Sequence, residues 1–461
     1  MKQCKYSIRL ILRTIIWALC CVAAPAYAQN EININARAGQ TINLEPAYQD
    51  GILLIRGGGT ERKPAIVDGR GMTVLTGNNQ LYVIGDHIIV QNVKILNPDL
   101  AKGIRSVVSF RYKKETGTNS TIRNFQFIQE PGKISITTYS WLEVFGRNNT
   151  VTGCLFKGKT TRNPIMHIDV DDDQPDNHVI SGNTFTDIPV HPGEALECIR
   201  IGLGKGISGT LVKDNIFKRC FGDSETLSTK SSGNKMTGNY FFECRAGISL
   251  RGGNNNTVSG NVFYNTKNAL RMSGSGHQID NNYFFNNPIA TDNGGALVLM
   301  VGGPMPDCNY EVVRNITIES NVFLNYLGLR VLKPGDKCDD YPGNIIFRHN
   351  TFMKAKDAFE LKDTTVAEFR SSIEPVLVKG PAAAAAATPF FDKGAAGKAQ
   401  SADKKLNIEV HKNGAVMFSN CDFGPTFFSP KLKAANNANG DGRYNEVQQK
   451  LNDIRAQDQN R

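Results

Sequence analysis

Acids and cations crowd into one stretch of this sequence in an order suited to holding a polyanion. Gly222-Asp223-Ser224-Glu225 leads to Lys230, then to Leu250-Arg251-Gly252, then to Leu270-Arg271 and Gly276-His277. Counted back from the next asparagine-x-aromatic phrase, Lys230 stands nine residues upstream, Arg251 ten, and Arg271 ten or eleven. Strands repeating at such intervals stack about 4.8 Å apart, so the spacing predicts three cations nearly in column. Like charges opposed across strands repel. Packing asks for no such column, whereas a bound polyanion would neutralise it. The competing reading is that Asp223 and Glu225 offset the cations in a surface ion-pair lattice.

The elements that must position these residues are written in the repeat itself. Asn183-Thr-Phe185, Asn215-Ile-Phe217, Asn239-Tyr-Phe241, Asn261-Val-Phe263, Asn282-Tyr-Phe284, Asn321-Val-Phe323 and Asn350-Thr-Phe352 recur, 24, 22 and 21 residues apart in the centre and 29 to 39 elsewhere. A period near this length indicates a solenoid. The leucine framework of a leucine-rich repeat is absent, and no run holds a 3.6-residue periodicity. Asn tolerates left-handed backbone and bonds neighbouring peptides, which suits sharp corners. The expected fold is all-β, a single-stranded right-handed parallel β-helix with an Asn ladder at one corner and Phe inside. A sandwich of antiparallel hairpins is the alternative. Cys220 and Cys244, each five residues after its Asn, read as stacked buried thiols.

The chain divides by composition. Lys2, Lys5, Arg9 and Arg13 precede a short apolar core and Ala26-Tyr27-Ala28, which reads as a cleaved signal peptide over 1–28. That apolar run is shorter than the roughly 20 residues needed to cross a bilayer, so a periplasmic or secreted protein with no membrane attachment is expected. The β-helix should occupy 29–380, a low-complexity linker or loop 381–405, and a cap with a polar tail 406–461. Formal charge is +10, part of it in the leader. The remaining excess suits an acidic partner, while an exported chain with no basic tract gives little support to nucleic acid. Seven cysteines lie beyond the leader. Cys308 and Cys338, in Gly/Pro/Asp-rich loops, are the best disulfide candidates for an oxidising compartment.

Asp223-x-Glu225-x4-Lys230-Ser-Ser, Leu250-Arg251, Gly276-His277 and the upstream Glu194-Ala-Leu-Glu-Cys-Ile-Arg-Ile-Gly202 together resemble polysaccharide lyase family 6, the alginate lyases and dermatan-cleaving chondroitinase B. The resemblance runs from about Asn43 to Phe352. It implies a calcium ion held by Asp223, Glu225 and Glu194, the last being more usually Asn. Such all-oxygen ligands suit calcium. It further implies Lys230 as general base and Arg251 as acid or charge stabiliser acting on an acidic polysaccharide, alginate favoured over dermatan sulfate. Arg271 and His277 are candidate substrate contacts, although a lone histidine near a turn is as often structural. Arg251 and Arg271 are the expected perturbers of the lysine. One position departs from the family: Gly252 stands where His usually follows the arginine. That departure favours, as an alternative, a catalytically weak glycan-binding β-helix. Asp169-Val-Asp171-Asp172-Asp173 resembles the paired acids of a glycoside hydrolase, but a solvated loop before Gln174-Pro175-Asp176 is the favoured reading. His191 is a candidate neighbour of the metal site.

Overall fold

Stacked parallel strands make up the chain, with no helix among the described residues. The computed structural model describes residues 30–348 except 134, 205, 286–295, 305 and 325–328, together with short strands between Thr351 and Phe428. The signal peptide and the linker expected from the sequence lie outside these residues. Of the C-terminal segment, a three-stranded antiparallel sheet is described: Asn407–Val410, Val416–Ser419 and Thr426–Phe428.

Thirteen strands form one parallel sheet, each contributed by the next coil, from Asn30–Arg37 through Leu227–Lys230, Ile248–Gly252 and Leu270–Met272 to Phe359–Leu361. Two further parallel stacks complete each coil, as in Val179–Ser181 and Thr184–Ile188. This is the parallel β-helix that the repeat implied.

Side chains that must be buried on every coil occupy the same place on each. The rings of Phe127, Phe156, Phe185, Phe217, Phe241, Phe263, Phe284 and Phe323 stack with centroids 4.6–5.0 Å apart. At the corner before each ring, the amide nitrogen and side-chain Nδ2 of Asn215 both donate to Asn239 Oδ1, and Asn239 treats Asn261 likewise. Every buried amide of the corner is thereby paired, which an interior of low polarity demands. Cys220 and Cys244 are free and buried, as expected, and Cys308 is disulfide-bonded to Cys338.

Candidate functional site

Alternate residues of a strand point to opposite faces. On the thirteen-stranded sheet Met166, Ile168, Ile199, Ile201, Leu227, Leu250, Leu270 and Met272 point into the core. Their neighbours form an outward column in register: Ser109, Glu143, His167, Arg200, Ser228, Ser249 and Arg271. Arg271 stands in this column, but Lys230 and Arg251 do not join it. Lys230 is opposite Gly252, because the register shifts between Thr229 and Lys230, and Arg251 is the extra residue at that irregularity. The straight column of three cations is therefore corrected: a β-bulge re-aims Arg251, and the two arginines, not the lysine, meet through a shared acid.

That acid is Glu225, 2% exposed. Its Oε1 accepts from Arg251 Nη1 at 3.1 Å and from Arg271 Nη2, and its Oε2 accepts from Ser228 Oγ. Arg271 Nε also donates to Ser249 Oγ at 2.9 Å. Both guanidinium groups lie over the Tyr310 ring, 5.6 and 6.0 Å from its centroid. Burial pushes the Glu225 carboxyl up, but Arg271 and Arg251 outweigh it and hold the group below the usual carboxylate range. The ion-pair reading thus applies to Glu225 in a buried form, not as a surface lattice.

A second acid–cation pair completes the cluster and was not singled out from the sequence. Buried Glu197 accepts two bonds from Arg200, Nε to Oε1 at 2.8 Å and Nη2 to Oε2 at 2.6 Å. Its signal was positional. Glu197 precedes Ile199 by two residues, as Glu225 precedes Leu227, and Ile199 pairs with Leu227. Burial lowers the pKa of the half-buried Lys230; the charge of Arg200 adds to this, then that of Arg251, against the opposing pull of Glu197 and Glu225. Arg200 takes the part expected of Arg271.

Asp223 is also buried, its Oδ2 accepting from the Leu196 amide at 3.3 Å and its Oδ1 from the Glu225 amide at 3.0 Å. Burial, with Glu197, Glu225 and Glu194 nearby, pushes its carboxyl up to about 6. Glu194 turns to Arg245, 3.2 Å away. The oxygen donors and crowded negative charge fit a hard cation in kind. Among the described residues the acids do not converge as one ligand group, since Glu225 and Glu194 are engaged by arginines. His191 accepts from the Gly193 amide and so braces its own turn.

His277, expected to touch substrate, is 1% exposed with both ring nitrogens engaged. Its Nδ1 accepts from the Asn256 amide at 3.2 Å, and its Nε2 lies 2.9 Å from the Ser273 carbonyl. Burial pushes its pKa down to about 4. It stands at a second corner, in register with Asn149, His178, Asn234 and Asn256, where its nitrogen does the work of an Asn oxygen. The phrases His178-Val-Ile and His277-Gln-Ile, set beside Asn234-Lys-Met and Asn256-Thr-Val, carry that signal. At Gly252 a Cβ would meet Lys230 Cα at 3.7 Å and Glu311 Oε1 at 3.9 Å, ordinary contact distances. The backbone there has room for a Cβ.

The sequence profile described as chondroitinase B matches residues 27–339. No curated protein matches the chain in sequence. Among solved structures, the chain resembles a mannuronic acid specific polysaccharide family 6 lyase from human gut microbiota at 21% identity and TM-score 0.60, covering 79% of this chain and 84% of that one. It also resembles the family 6 alginate lyase AlyGC at 23% identity and TM-score 0.65, covering 89% of this chain and 55% of that one. A family 6 polysaccharide lyase from Pseudopedobacter saltans aligns at 22% identity and TM-score 0.57, covering 70% and 85%.

Proposed function

The chain belongs to the chondroitinase B family of polysaccharide lyases, and from that premise we propose that it cleaves a uronic-acid polymer by β-elimination, alginate before dermatan sulfate. One observation carries the reading: a half-buried lysine of lowered pKa, Lys230, lies among Arg200, Arg251 and the buried acids Glu197 and Glu225. In such a reaction the C5 proton is removed beside the sugar carboxylate, and the C4 oxygen departs with the bonding pair, leaving a 4,5-unsaturated end. Neutral Lys230 accepts the C5 proton; its lowered pKa makes the neutral form accessible. Arg251 stays charged and stabilises the carboxylate or the departing oxygen. Arg271 holds Glu225, and with it Arg251, in place.

Glu194, Asp223 and Glu225, with Glu197 beside them, would hold calcium once Glu194 turned from Arg245 and Glu225 from Arg251 and Arg271. Bound there, the ion would act as a Lewis acid on the substrate carboxylate. The Cys308–Cys338 disulfide agrees with the exported location expected from the N-terminal segment. Gly252 favours a second reading, a glycan-binding protein of low turnover, because loss of an acid/base partner costs ~10²- to 10⁴-fold. Purified protein incubated with polymannuronate, polyguluronate and dermatan sulfate, with calcium or a chelator, should generate the ultraviolet absorbance of unsaturated uronates. Lys230→Ala should abolish that signal with unchanged circular dichroism. Binding without absorbance on every polymer would establish the second reading, and near-normal activity in Lys230→Ala would remove the lysine from its role.

A further inference from the structure

A cavity of about 730 Å³ lies on the same outward face, upstream of the lysine. Its floor is Tyr82, Ser109 and Glu143, members of the column that continues through His167 and Arg200 to Ser228. Glu143 and Ser228 are three rungs apart, about 14 Å at about 4.8 Å per rung. The hairpin formed by Arg111–Tyr112 and Glu115–Thr116 walls one part, and the segment 103–105 another.

Four cations line this cavity, Arg105, Arg111, Lys113 and Lys114, against the two acids Glu143 and Asp171. The buried Glu143 is already met by Arg105 at 3.2 Å. Arg111 lies 3.5 Å over the Phe145 ring and reaches Asp169 at 3.4 Å and Asp171 at 3.7 Å. The acidic run thus serves to anchor an arginine of the wall. No carboxylate pairs with Lys113 or Lys114 among the described residues; Lys113 instead lies 4.8 Å over Tyr112, whose ring packs 4.7 Å from that of Tyr82. The Tyr112 hydroxyl donates to Glu31 at 2.6 Å, and cations without a salt-bridge partner beside this aromatic pair match a ligand with both anionic groups and apolar ring faces. An acidic sugar chain has both. A neutral glycan would leave the lysines without partners, and a small inorganic anion would leave the rings idle.

We propose that this cavity is a distal binding site for the acidic chain, holding uronate residues several units away from the linkage at Lys230. The chain's carboxylates meet Lys113 and Lys114, and a sugar face rests on the Tyr82–Tyr112 pair. The inference rests on the proposed function, and the two fail in distinguishable ways. Calorimetry with chelator present, to prevent turnover, would compare a short and a long oligomannuronate, with dermatan sulfate oligosaccharides as a parallel set. The intact protein should bind the long oligomer at least tenfold more tightly than the short one. In Lys113→Ala/Lys114→Ala, and in the milder Lys114→Gln if the double variant folds poorly, that ratio should fall towards one. An unchanged ratio in folded variants overturns the distal site alone. No binding of either oligomer by the intact protein, with no unsaturated product from any polymer, overturns the proposed function as well.

Discussion

Replacing Glu225 by Gln removes one negative charge while keeping the side chain's shape. The native carboxylate satisfies three donors, Arg251 Nη1, Arg271 Nη2 and Ser228 Oγ. A Gln amide presents one acceptor oxygen and an NH₂ that must face a donor. Breaking a buried ion pair by removing one partner costs ~3–5 kcal/mol. Arg251 is 36% exposed and Arg271 17%, so water recovers part of this, and about 2–4 kcal/mol is expected. In a solenoid each coil leans on its neighbours, so the loss should concentrate in the strands Leu227–Lys230, Ile248–Gly252 and Leu270–Met272. Hydrogen exchange resolved by peptide would read it, alongside thermal unfolding. A second consequence concerns Lys230. The Glu225 charge raises the lysine's pKa, so its removal lowers that pKa further and the neutral base appears at lower pH. The rising limb of kcat/KM against pH, measured on residual turnover, should move towards acid. A limb that stays fixed or moves alkaline, with destabilisation under about 1 kcal/mol, would refute both Glu225 as the neutralising centre and Lys230 as the titrating base.

Gly252→His adds a ring at a position where a Cβ meets only ordinary contacts; if the missing histidine limits turnover, kcat should rise at least ~10-fold, and an unchanged kcat would show that it does not. Asp176 is buried with one oxygen unpartnered, and burial, with nearby acids against Arg147, pushes its carboxyl up to about 7. The native state therefore binds a proton that the unfolded chain releases above 3.8, and stability falls as pH rises from about 4 to about 7. Asp176→Asn should accordingly stabilise by about 2–4 kcal/mol at pH 8 and by nothing near pH 3; equal Tm differences at both would contradict this. Phe241→Ala opens a gap in the ring stack between Phe217 and Phe263 and should cost ~3–5 kcal/mol, seen as a lower denaturant midpoint.

The coils were legible because their cause is local and repeated. One Asn and one Phe per coil state the corner and the core, and strand and ladder follow. Asp223, Glu225, Lys230, Arg251 and Arg271 were legible as a neighbourhood for the same reason. Which of them touch was not. A single bulge after Thr229 moves Arg251 out of line, and counting from the next Asn cannot register a bulge. Glu197 and Arg200 lay within the family-like stretch 194–202, but their place beside Lys230 was hidden because they sit in a longer, looped coil, where the interval to the next Asn no longer marks the place. His277 misled because a histidine near charged residues resembles a ligand, while its corner position was stated only by the weaker ladder of Asn234 and Asn256. The cavity near Tyr112 depends on a hairpin outside the repeat, and no periodicity announces it.

A stack with fixed spacing is also a ruler. The rungs between the Glu143 floor and the Lys230 strand are held by continuous ladders of rings and amides, so this separation does not adjust to its ligand. If a chain is to be gripped upstream while it is cut, the number of coils between the two places sets the shortest chain that benefits. Deleting or duplicating one whole coil in that interval would retune the preferred length by one rung, leaving the reacting groups themselves untouched.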